Sequence, residues 1–420
     1  MAVFATHFRF AALPAACLAM CLGADVASAQ QSAVPDVAKQ AERSGQSPNL
    51  RGVPVPPIAA GAEKLPISRF KLPPGFKVEV WQSGIAGART MLLGPKGTMF
   101  VGTQGIGRVY AIVTKNGKHE VKTMAQGLNM PNGLAMKDGA LIVVANKNVY
   151  RFDNIEDNLD NPKHVDISEK FNLPGDRPHG WRYVAFGPDG KLYIPVGAPC
   201  NICEPNYATH SHIARYDADG SNMEIVAKGV RNSVGFDWNP ITKELWFTDN
   251  GRDWAGNDQP EDEFNRLPKG KEGAFFGFPY CHAMGIPDPD IKHADACKDV
   301  VLPAVTTGPH SASLGVHWYT GDMFPAEYKN VAFIARRGSW NRDKKFNSDL
   351  AIVRVEDNGT GKATVTPFMT GLLDEQKNEH LARLVLPYQM PDGSLLVSDE
   401  QNGAIYRITY NKDAAGAGKN

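Results

Sequence analysis

The chain has 420 residues, with 45 basic and 45 acidic side chains and a formal net charge of +0 at pH 7. This balance argues against a nucleic acid or an anionic membrane surface as the main partner, because both select strongly basic proteins. The 41 glycines and 30 prolines, with only 9% aromatic residues, are typical of a fold with many short strands and tight turns.

The first 29 residues have the features of a secretory signal peptide. Arg9 precedes an apolar run over residues 10–23, and Ala27-Ser28-Ala29 suits cleavage after Ala29. The apolar run is shorter than the about 20 residues of a membrane-spanning helix, and no later segment comes close. We therefore predict an exported protein of the periplasm or the extracellular space, with no membrane span. A lipoprotein anchored through Cys21 is the alternative.

A segment without a regular apolar pattern follows the signal peptide. Residues 30–67 are polar and then rich in proline, as in Val53-Pro54-Val55-Pro56-Pro57, which predicts an extended arm or linker. Residues 68–412 have the alternating pattern of short strands, beginning with residues 76–81, and are predicted to form one domain. Residues 413–420 are predicted to be a flexible tail.

Six copies of one strand-turn-strand unit recur within this domain. Each copy has a turn with proline or glycine, a short apolar strand, a second turn, and a strand ending in an aromatic residue plus Arg or Ala. The copies begin at Gly94, Lys137, Gly187, Asn239, Phe324 and Met390. They predict an all-β, six-bladed β-propeller with long inter-blade loops in its second half. A β-sandwich would explain the Asp-Gly turns but not six copies of the unit.

Cleavage of the signal peptide leaves four cysteines, Cys200, Cys203, Cys281 and Cys297. An even number in an exported chain predicts two disulfides. Among the three connectivities we favour local pairing, Cys200 with Cys203 and Cys281 with Cys297. A redox or zinc pair at Cys200 and Cys203 is the alternative, but the sequence lacks a second such pair to complete a tetrahedral zinc site.

Six segments resemble the sorbosone dehydrogenase branch of the soluble, pyrroloquinoline-quinone-dependent sugar dehydrogenases. Their order and spacing agree over residues 70–410: HGWRYVAFGPDGKLYIPVGAPCNICE, GVRNSVGFDWNPITKELWFTDNGRD, DEFNRLP, FGFPYCH, FPAEYKNVAFIARRGSWNR and PDGSLLVSDEQNGAIYRITY. The resemblance implies a propeller with pyrroloquinoline quinone (PQQ) in a cleft above the central channel. It also implies calcium ions, oxidation of a sugar hydroxyl or hydrated aldehyde, and an external electron acceptor such as a cytochrome c or a quinone.

The same resemblance assigns three site residues in the middle of the chain. His179, in Pro178-His179-Gly180-Trp181, is the general base that takes the proton of the substrate hydroxyl. Arg231 and Asn232 contact the cofactor, for which arginine offers a planar fork and asparagine a second donor. The ordinary alternatives are a turn histidine bonded to backbone and a structural salt bridge at a blade seam.

Arg336 and Arg383 are the further cofactor contacts that the resemblance implies. Arg383 matches in spacing an arginine directed at a cofactor carboxylate, and Arg336 stands where glucose-oxidising relatives have a lysine. Nearer relatives usually carry an acidic residue and a histidine at Arg336-Arg337, and Gly-Arg-Pro at Ala382-Arg383-Leu384. These departures leave open whether the arginines strengthen quinone binding or mark a changed ligand. Adjacent strand residues face opposite ways, so only one of Arg336 and Arg337 can point inward.

Calcium is assigned by the resemblance to the loop containing Gly251 and Arg252, whose backbone carbonyls hold the ion in the family. Calcium prefers six to eight oxygen ligands, so the acid-rich residues 258–263 are a candidate second site, with a solvated turn as the alternative.

These observations predict a quinoprotein that oxidises a sugar or aldehyde, such as sorbosone or an aldose. The substrate itself is not identified, because Ala198-Pro199 replaces the acidic residue and glutamine of glucose-oxidising relatives. Two other functions stay open. They are a calcium-dependent propeller hydrolase of the lactonase type and a catalytically silent, ligand-binding propeller. The arginines favour the dehydrogenase, because a lactonase needs no cations for a tricarboxylate.

Overall fold

The computed structural model describes residues 37–176 and 178–413. Helix α1 (Val37–Ser44) comes first, and an extended segment with 3-10 turns at Ala62–Lys64 and Ile67–Arg69 leads to strand β1 (Phe76–Gln82). The predicted signal peptide and all but the first residue of the predicted tail lie outside the described residues. The predicted domain boundaries remain predictions.

Six antiparallel sheets of four principal strands form the blades of a propeller, as the repeated unit predicted. Blade 1 contains β2 (Met91–Leu93), β3 (Met99–Gly102), β4 (Arg108–Lys115) and β5 (Lys118–Gln126). Blade 2 contains β6 (Gly133–Lys137), β7 (Ala140–Ala145), β8 (Asn148–Phe152) and β9 (Val165–Asp166), with 3-10 turns at Ile155–Asp157 and Ser168–Lys170. Blade 3 contains β10 (Ala185–Phe186), β11 (Leu192–Val196), β12 (His212–Tyr216) and β13 (Glu224–Lys228).

The second half of the ring has longer excursions between strands. Blade 4 contains β14 (Phe236–Trp238), β15 (Leu245–Asp249) and β16 (Glu261–Leu267), and it is completed by β20 (Val305–Pro309). The intervening chain forms β17 (Ala274–Phe275), which pairs in parallel with β13 of blade 3, and a hairpin of β18 (Cys281–His282) and β19 (Ile286–Pro287).

Blades 5 and 6 complete the ring. Blade 5 contains β21 (Ser313–Tyr319), β22 (Val331–Arg337), β23 (Ser348–Val355) and β24 (Ala363–Met369), with a 3-10 turn at Ala326–Tyr328 and a helical turn α2 (Glu356–Gly359). A small hairpin follows, β25 (Leu373–Asp374) and β26 (Glu379–His380). Blade 6 contains β27 (Leu384–Gln389), β28 (Leu395–Asp399) and β29 (Ala404–Tyr410), and its fourth strand is β1.

Pairing of β1 with β29 closes the ring, since it joins the first and last strands of the domain in one sheet. The two strands run antiparallel, with Phe76 opposite Tyr410 and Val80 opposite Tyr406. Closure removes the two open ends that an unclosed series of blades would present to other chains.

The apolar core lies in the seams between neighbouring blades. Phe100 of blade 1 packs in one cluster with Leu141 of blade 2, and Trp246 of blade 4 packs with Trp318 of blade 5. Most strand side chains pack in these seams. The polar groups at the ends of the blades therefore lie mainly in the connecting loops. Neither α-helix of the described residues has the length and apolar character that crossing a bilayer requires.

Both predicted disulfides are present, Cys200 with Cys203 and Cys281 with Cys297. The first bridge spans three residues and the second spans 16, across the excursion that contains the β18–β19 hairpin. Two bridges support the inference of an oxidising compartment.

The longer bridge should contribute more to stability than the shorter one. In the chain-entropy account, the longer loop contributes about 3 kcal/mol and the shorter about 2 kcal/mol to the free energy of unfolding. Urea unfolding of the double variants Cys281→Ser/Cys297→Ser and Cys200→Ser/Cys203→Ser measures both losses. A larger loss for the shorter loop would contradict this account.

Candidate active site

A cavity of about 650 Å³ opens among loops of blades 1, 3, 4 and 5 and a stretch of the N-terminal arm. Cofactor and ligand sites commonly have volumes of about 300–1,000 Å³. Its cationic and imidazole groups come from different blades: Arg89, His179, Arg231, His310 and Arg337. Its oxygen-bearing groups include Gln104, Asn232, Asn250, Gly251, Asp253 and Asp262, and its aromatic groups are Trp181 and Trp340.

His179 lies in the cavity wall in a left-handed backbone conformation, with φ of +50°. Its Nδ1 lies 2.8 Å from the carbonyl oxygen of Ala198, and a carbonyl can only accept, so Nδ1 carries the proton. Nε2 therefore keeps its lone pair. Close approach is possible because Gly197 has no side chain: a Cβ there would lie 2.5 Å from the Cβ of His179.

Burial, and next the nearby charge of Arg231, lower the pKa of His179 to about 3. The imidazole is therefore neutral at any ordinary pH in the cofactor-free protein. We expect its Hε1 NMR signal to stay constant between about pH 5 and pH 8, where an unperturbed histidine titrates near 6.5. The signal is assigned by its loss in His179→Gln. A midpoint near 6.5 would contradict the proposed environment.

Arg231 lines the cavity, but its donors are occupied by this chain. Nε and Nη2 donate to the carbonyl and side-chain oxygens of Asn201 at 2.9 and 2.8 Å. Nη1 donates to the carbonyls of Asn250 and Gly251 at 3.0 and 2.7 Å, and Nη2 also lies 3.3 Å from Asp253. The guanidinium thus joins the Cys200–Cys203 turn to the loop after β15.

Asp249, at the end of β15, fixes the backbone of this region. Its two carboxylate oxygens accept the backbone N–H groups of Arg231 and Asn232 at 2.8 and 2.6 Å. Asp262 accepts the N–H of Gly251 at 2.9 Å. Burial raises the pKa of Asp249 to about 7 and that of Asp262 to about 6.

Arg89 and Arg337 meet on one buried carboxylate, Glu400 of blade 6. Arg89 Nη1 donates to one oxygen of Glu400, and Arg337 Nε donates to the other. Burial alone would raise the pKa of Glu400, but Arg337 and Arg89 outweigh it and lower that pKa to about 2. Among the described residues, none accepts a hydrogen bond from the terminal nitrogens of Arg337, which lies in the cavity wall.

Arg336, which the resemblance assigned to the cofactor, is not among the residues that line the cavity, and its donors are occupied by this chain. Its Nε and Nη2 donate to both oxygens of Asp349 on β23, at 2.7 and 2.5 Å, and Nη1 donates to the carbonyl of Thr307. Side chains alternate between the two faces of β22, so only one of the two neighbouring arginines can face the cavity. That residue is Arg337.

Arg383 lies behind the cavity wall instead of in it. It is 1% exposed, its Nη2 donates to the Gly338 carbonyl at 2.9 Å, and its Nη1 is buried without a hydrogen-bond partner among the described residues. Burial, and next the charge of Arg337, lower its pKa. The predicted direct contact with a cofactor is not supported by this position, although the guanidinium adds positive charge behind Arg337.

The predicted metal residues Gly251 and Arg252 separate in the structure. Gly251 lies in the cavity wall, whereas the Arg252 side chain is fully buried and donates to Asp288 at 2.9 Å and Asp290 at 2.7 Å. No three Asp, Glu, His or Cys side chains converge on a metal position within the part of the chain that the structure describes. A calcium ion beside Gly251 would need further oxygen ligands from cofactor and water.

Sequence reasoning missed Arg89, although the repeat contains a signal for it. Arg89 stands five residues before Gly94-Pro95-Lys96-Gly97, and Arg182 stands five residues before Gly187-Pro188-Asp189-Gly190. Arg182 is buried and donates to the His179 carbonyl at 2.7 Å. Alignment of the repeats would therefore have marked an arginine position next to the site in blade 1.

Comparisons with known proteins agree with this architecture. The family model described as TrAA12-like matches residues 70–411. An uncharacterized protein of Borreliella burgdorferi is 32% identical over 367 residues, covering 84% of this chain and 94% of its own.

Solved structures share the fold at low identity. The holo form of the pyranose dehydrogenase PQQ domain from Coprinopsis cinerea is 17% identical, with a TM-score of 0.66 over 81% of this chain and 97% of its own. The Trichoderma reesei carbohydrate-active enzyme of family AA12, in an iodide structure, is 19% identical with a TM-score of 0.66 over 86% and 100%. The soluble aldose sugar dehydrogenase of Escherichia coli, in apo form, is 18% identical with a TM-score of 0.59 over 80% and 100%.

Proposed function

The chain belongs to the TrAA12-like family, and we propose that it is a PQQ-dependent oxidoreductase acting on a sugar hydroxyl or a hydrated aldehyde. The observation that carries this proposal is one cavity that combines a neutral histidine, with its Nε2 lone pair, and guanidinium groups from three blades. Sorbosone and simple aldoses are the proposed substrates, and an external acceptor takes the two electrons.

The charge of the wall suits the three carboxylates of PQQ. Arg89, Arg231 and Arg337 approach the cavity from different blades, and Arg383 adds a fourth positive charge behind them. The Nη1 of Arg383 is buried without a partner among the described residues, so Arg383 acts on the cavity through its charge and not by direct contact. Guanidinium-carboxylate hydrogen bonds are among the strong ones in proteins.

When bound, PQQ accepts a hydride equivalent from the substrate carbon. His179 Nε2 takes the proton of the substrate hydroxyl, because Nδ1 is held by the Ala198 carbonyl and the ring cannot turn its lone pair away without losing that bond. Burial, and next the charge of Arg231, disfavour the protonated imidazole, so His179 is neutral and its Nε2 lone pair is available before substrate binds.

We propose calcium beside Gly251, with part of its oxygen ligands drawn from the adjacent wall and the others from cofactor and water. Asn250, Gly251, Asp253 and Asp262 supply the hard oxygen types that calcium prefers. The related fold of Trichoderma reesei has been solved in a calcium structure, and the Coprinopsis cinerea domain in a holo form, which support PQQ and calcium as candidates here. The periplasm or the extracellular space is the proposed location, consistent with two disulfides.

The test is reconstitution of the cofactor-free protein with PQQ and Ca²⁺, followed by dye reduction with sorbosone, a panel of aldoses and simple aldehydes. Turnover that requires PQQ is the expected result. PQQ binding without turnover on any substrate would favour a silent ligand-binding propeller. Hydrolysis of lactones without PQQ would favour the hydrolase.

A further inference from the structure

The N-terminal arm contributes part of the cavity wall between two anchors on the propeller. Residues 52–57 form the strap, of which residues 52–55 and Pro57 line the same cavity as His179 and Arg337. They lie outside residues 70–411, the part of the chain that the family model matches. The strap is therefore an element that this chain places over the family's common fold.

The first anchor binds the arm to loops of blades 4 and 5. Gln46 is 3% exposed, and its Nε2 donates to the backbone and side-chain oxygens of Asn341 at 2.8 and 3.0 Å. Its Oε1 accepts the N–H of Gly256 at 3.2 Å. Arg43 of α1 adds an ion pair with Asp290, in which Nη2 and a carboxylate oxygen are 2.9 Å apart.

The second anchor binds the arm to blade 6. The N–H of Ala60 donates to the carbonyl of Asn402 at 2.9 Å. Gly403 adopts φ of +62°, and a Cβ there would lie 2.4 Å from the Cβ of Ala59. The chain on both sides of the strap is thus fitted closely to the propeller.

The strap itself is stiff and uncharged. Pro54, Pro56 and Pro57 fix the backbone φ angle and reduce the conformations open to this segment. Val53 and Val55 are half-buried and Pro54 and Pro57 are exposed, and all four line the cavity. An apolar wall without ionisable groups acts on a ligand by its shape.

We infer that the strap is a size filter over the active site. It admits small sugars or aldehydes and excludes the longer saccharides that an open cleft would accept. The claim that the molecules admitted to the cavity are substrates rests on the proposed function. The steric claim does not, because the strap lies in the cavity wall whatever reaction takes place there.

The test compares how a small and a bulky thiol reagent reach the same point in the cavity. Ile106→Cys places a thiol in the wall contributed by blade 1, in the full chain with both disulfides intact. N-ethylmaleimide is the small reagent, and a maleimide carrying a long polyethylene glycol chain is the bulky one. With the native strap, we expect the small reagent to label the thiol and the bulky one to label it poorly.

Two variants then release the strap in different ways. Pro54→Gly/Pro56→Gly/Pro57→Gly removes its stiffness, and Gln46→Ala removes the first anchor. In the triple proline variant, labelling by the bulky maleimide should rise about tenfold, because each lost proline adds backbone freedom to the strap. Labelling by N-ethylmaleimide should change little. Pro162→Gly, in the loop between β8 and β9 and outside the cavity wall, is the control.

The kinetic readout is the ratio of kcat/KM for maltotriose to kcat/KM for glucose. This ratio should rise in both strap variants, in parallel with the rate at which the bulky maleimide labels Ile106→Cys. An unchanged labelling ratio in both variants overturns the strap as a barrier. A changed labelling ratio with an unchanged kcat/KM ratio overturns its role in substrate selection. If no sugar is turned over by any variant, the proposed function fails, and the labelling ratio still decides whether the strap filters by size.

Discussion

Turnover should fall by about 10²- to 10⁴-fold when His179 is replaced with alanine, the range expected for loss of a general base. PQQ affinity should stay nearly unchanged, because in the proposed mechanism His179 acts on the substrate proton whereas the arginines bind the cofactor carboxylates. The kcat at saturating substrate is measured by dye reduction, and PQQ affinity is measured by isothermal titration.

His310→Ala provides the comparison for that variant. His310 also lines the cavity, but its Nε2 is 2.7 Å from the carbonyl of Gly256 and therefore carries the proton in that hydrogen bond. The other ring nitrogen, Nδ1, keeps a lone pair, so this variant tests which of the two histidines is the base. We expect a much smaller loss than for His179→Ala, because His179 stands at the position that the resemblance assigns to the base. Wild-type turnover in His179→Ala, or equal losses in the two variants, would remove His179 from the role of base.

Arg337→Gln should weaken PQQ binding by about 10- to 100-fold, since a hydrogen bond to a charged group is worth about 1.5–3 kcal/mol. Glu400 keeps Arg89 as a partner in this variant, so the fold should be retained. Isothermal titration gives the affinity, and urea unfolding gives the stability.

Arg336→Gln is the matched variant one residue away. It leaves Asp349 buried without its bidentate partner, and breaking a buried pair in this way costs about 3–5 kcal/mol of the free energy of unfolding. We expect lower stability with nearly native PQQ affinity in whatever protein folds. The reverse pattern, with Arg336 controlling affinity and Arg337 controlling stability, would contradict the assignment of the two faces of β22.

The number of blades was predictable because each blade repeats the same local pattern of turn and strand. The repeats that begin at Gly94 and Met390 fall on β3–β4 and β28–β29, in different blades. The two disulfides were also predictable from local sequence, because the cysteines of each pair lie close together in the chain. The parallel pairing of β17 with blade 3 was not, because it depends on the path of a long excursion.

The site was predictable only in part, because its residues come from loops that are distant in sequence. The alternation rule showed that one of Arg336 and Arg337 faces inward, but it did not say which one. That choice depends on Asp349, whose position opposite Arg336 follows from the register of β22 and β23. The arm was predicted as extended, but its anchors at Asn341 and Asn402 require tertiary structure.

Isothermal titration of the cofactor-free protein with PQQ in the presence of Ca²⁺ tests the central claim most directly. We predict binding at a single site, with progressively weaker affinity in Arg337→Gln and in Arg89→Gln/Arg337→Gln/Glu400→Gln, because the wall loses one guanidinium at each step. Glu400 is neutralised in the second variant so that no buried carboxylate is left unpaired. No binding at micromolar PQQ, or the same affinity in all three proteins, would contradict the assignment of this cavity as a quinone site.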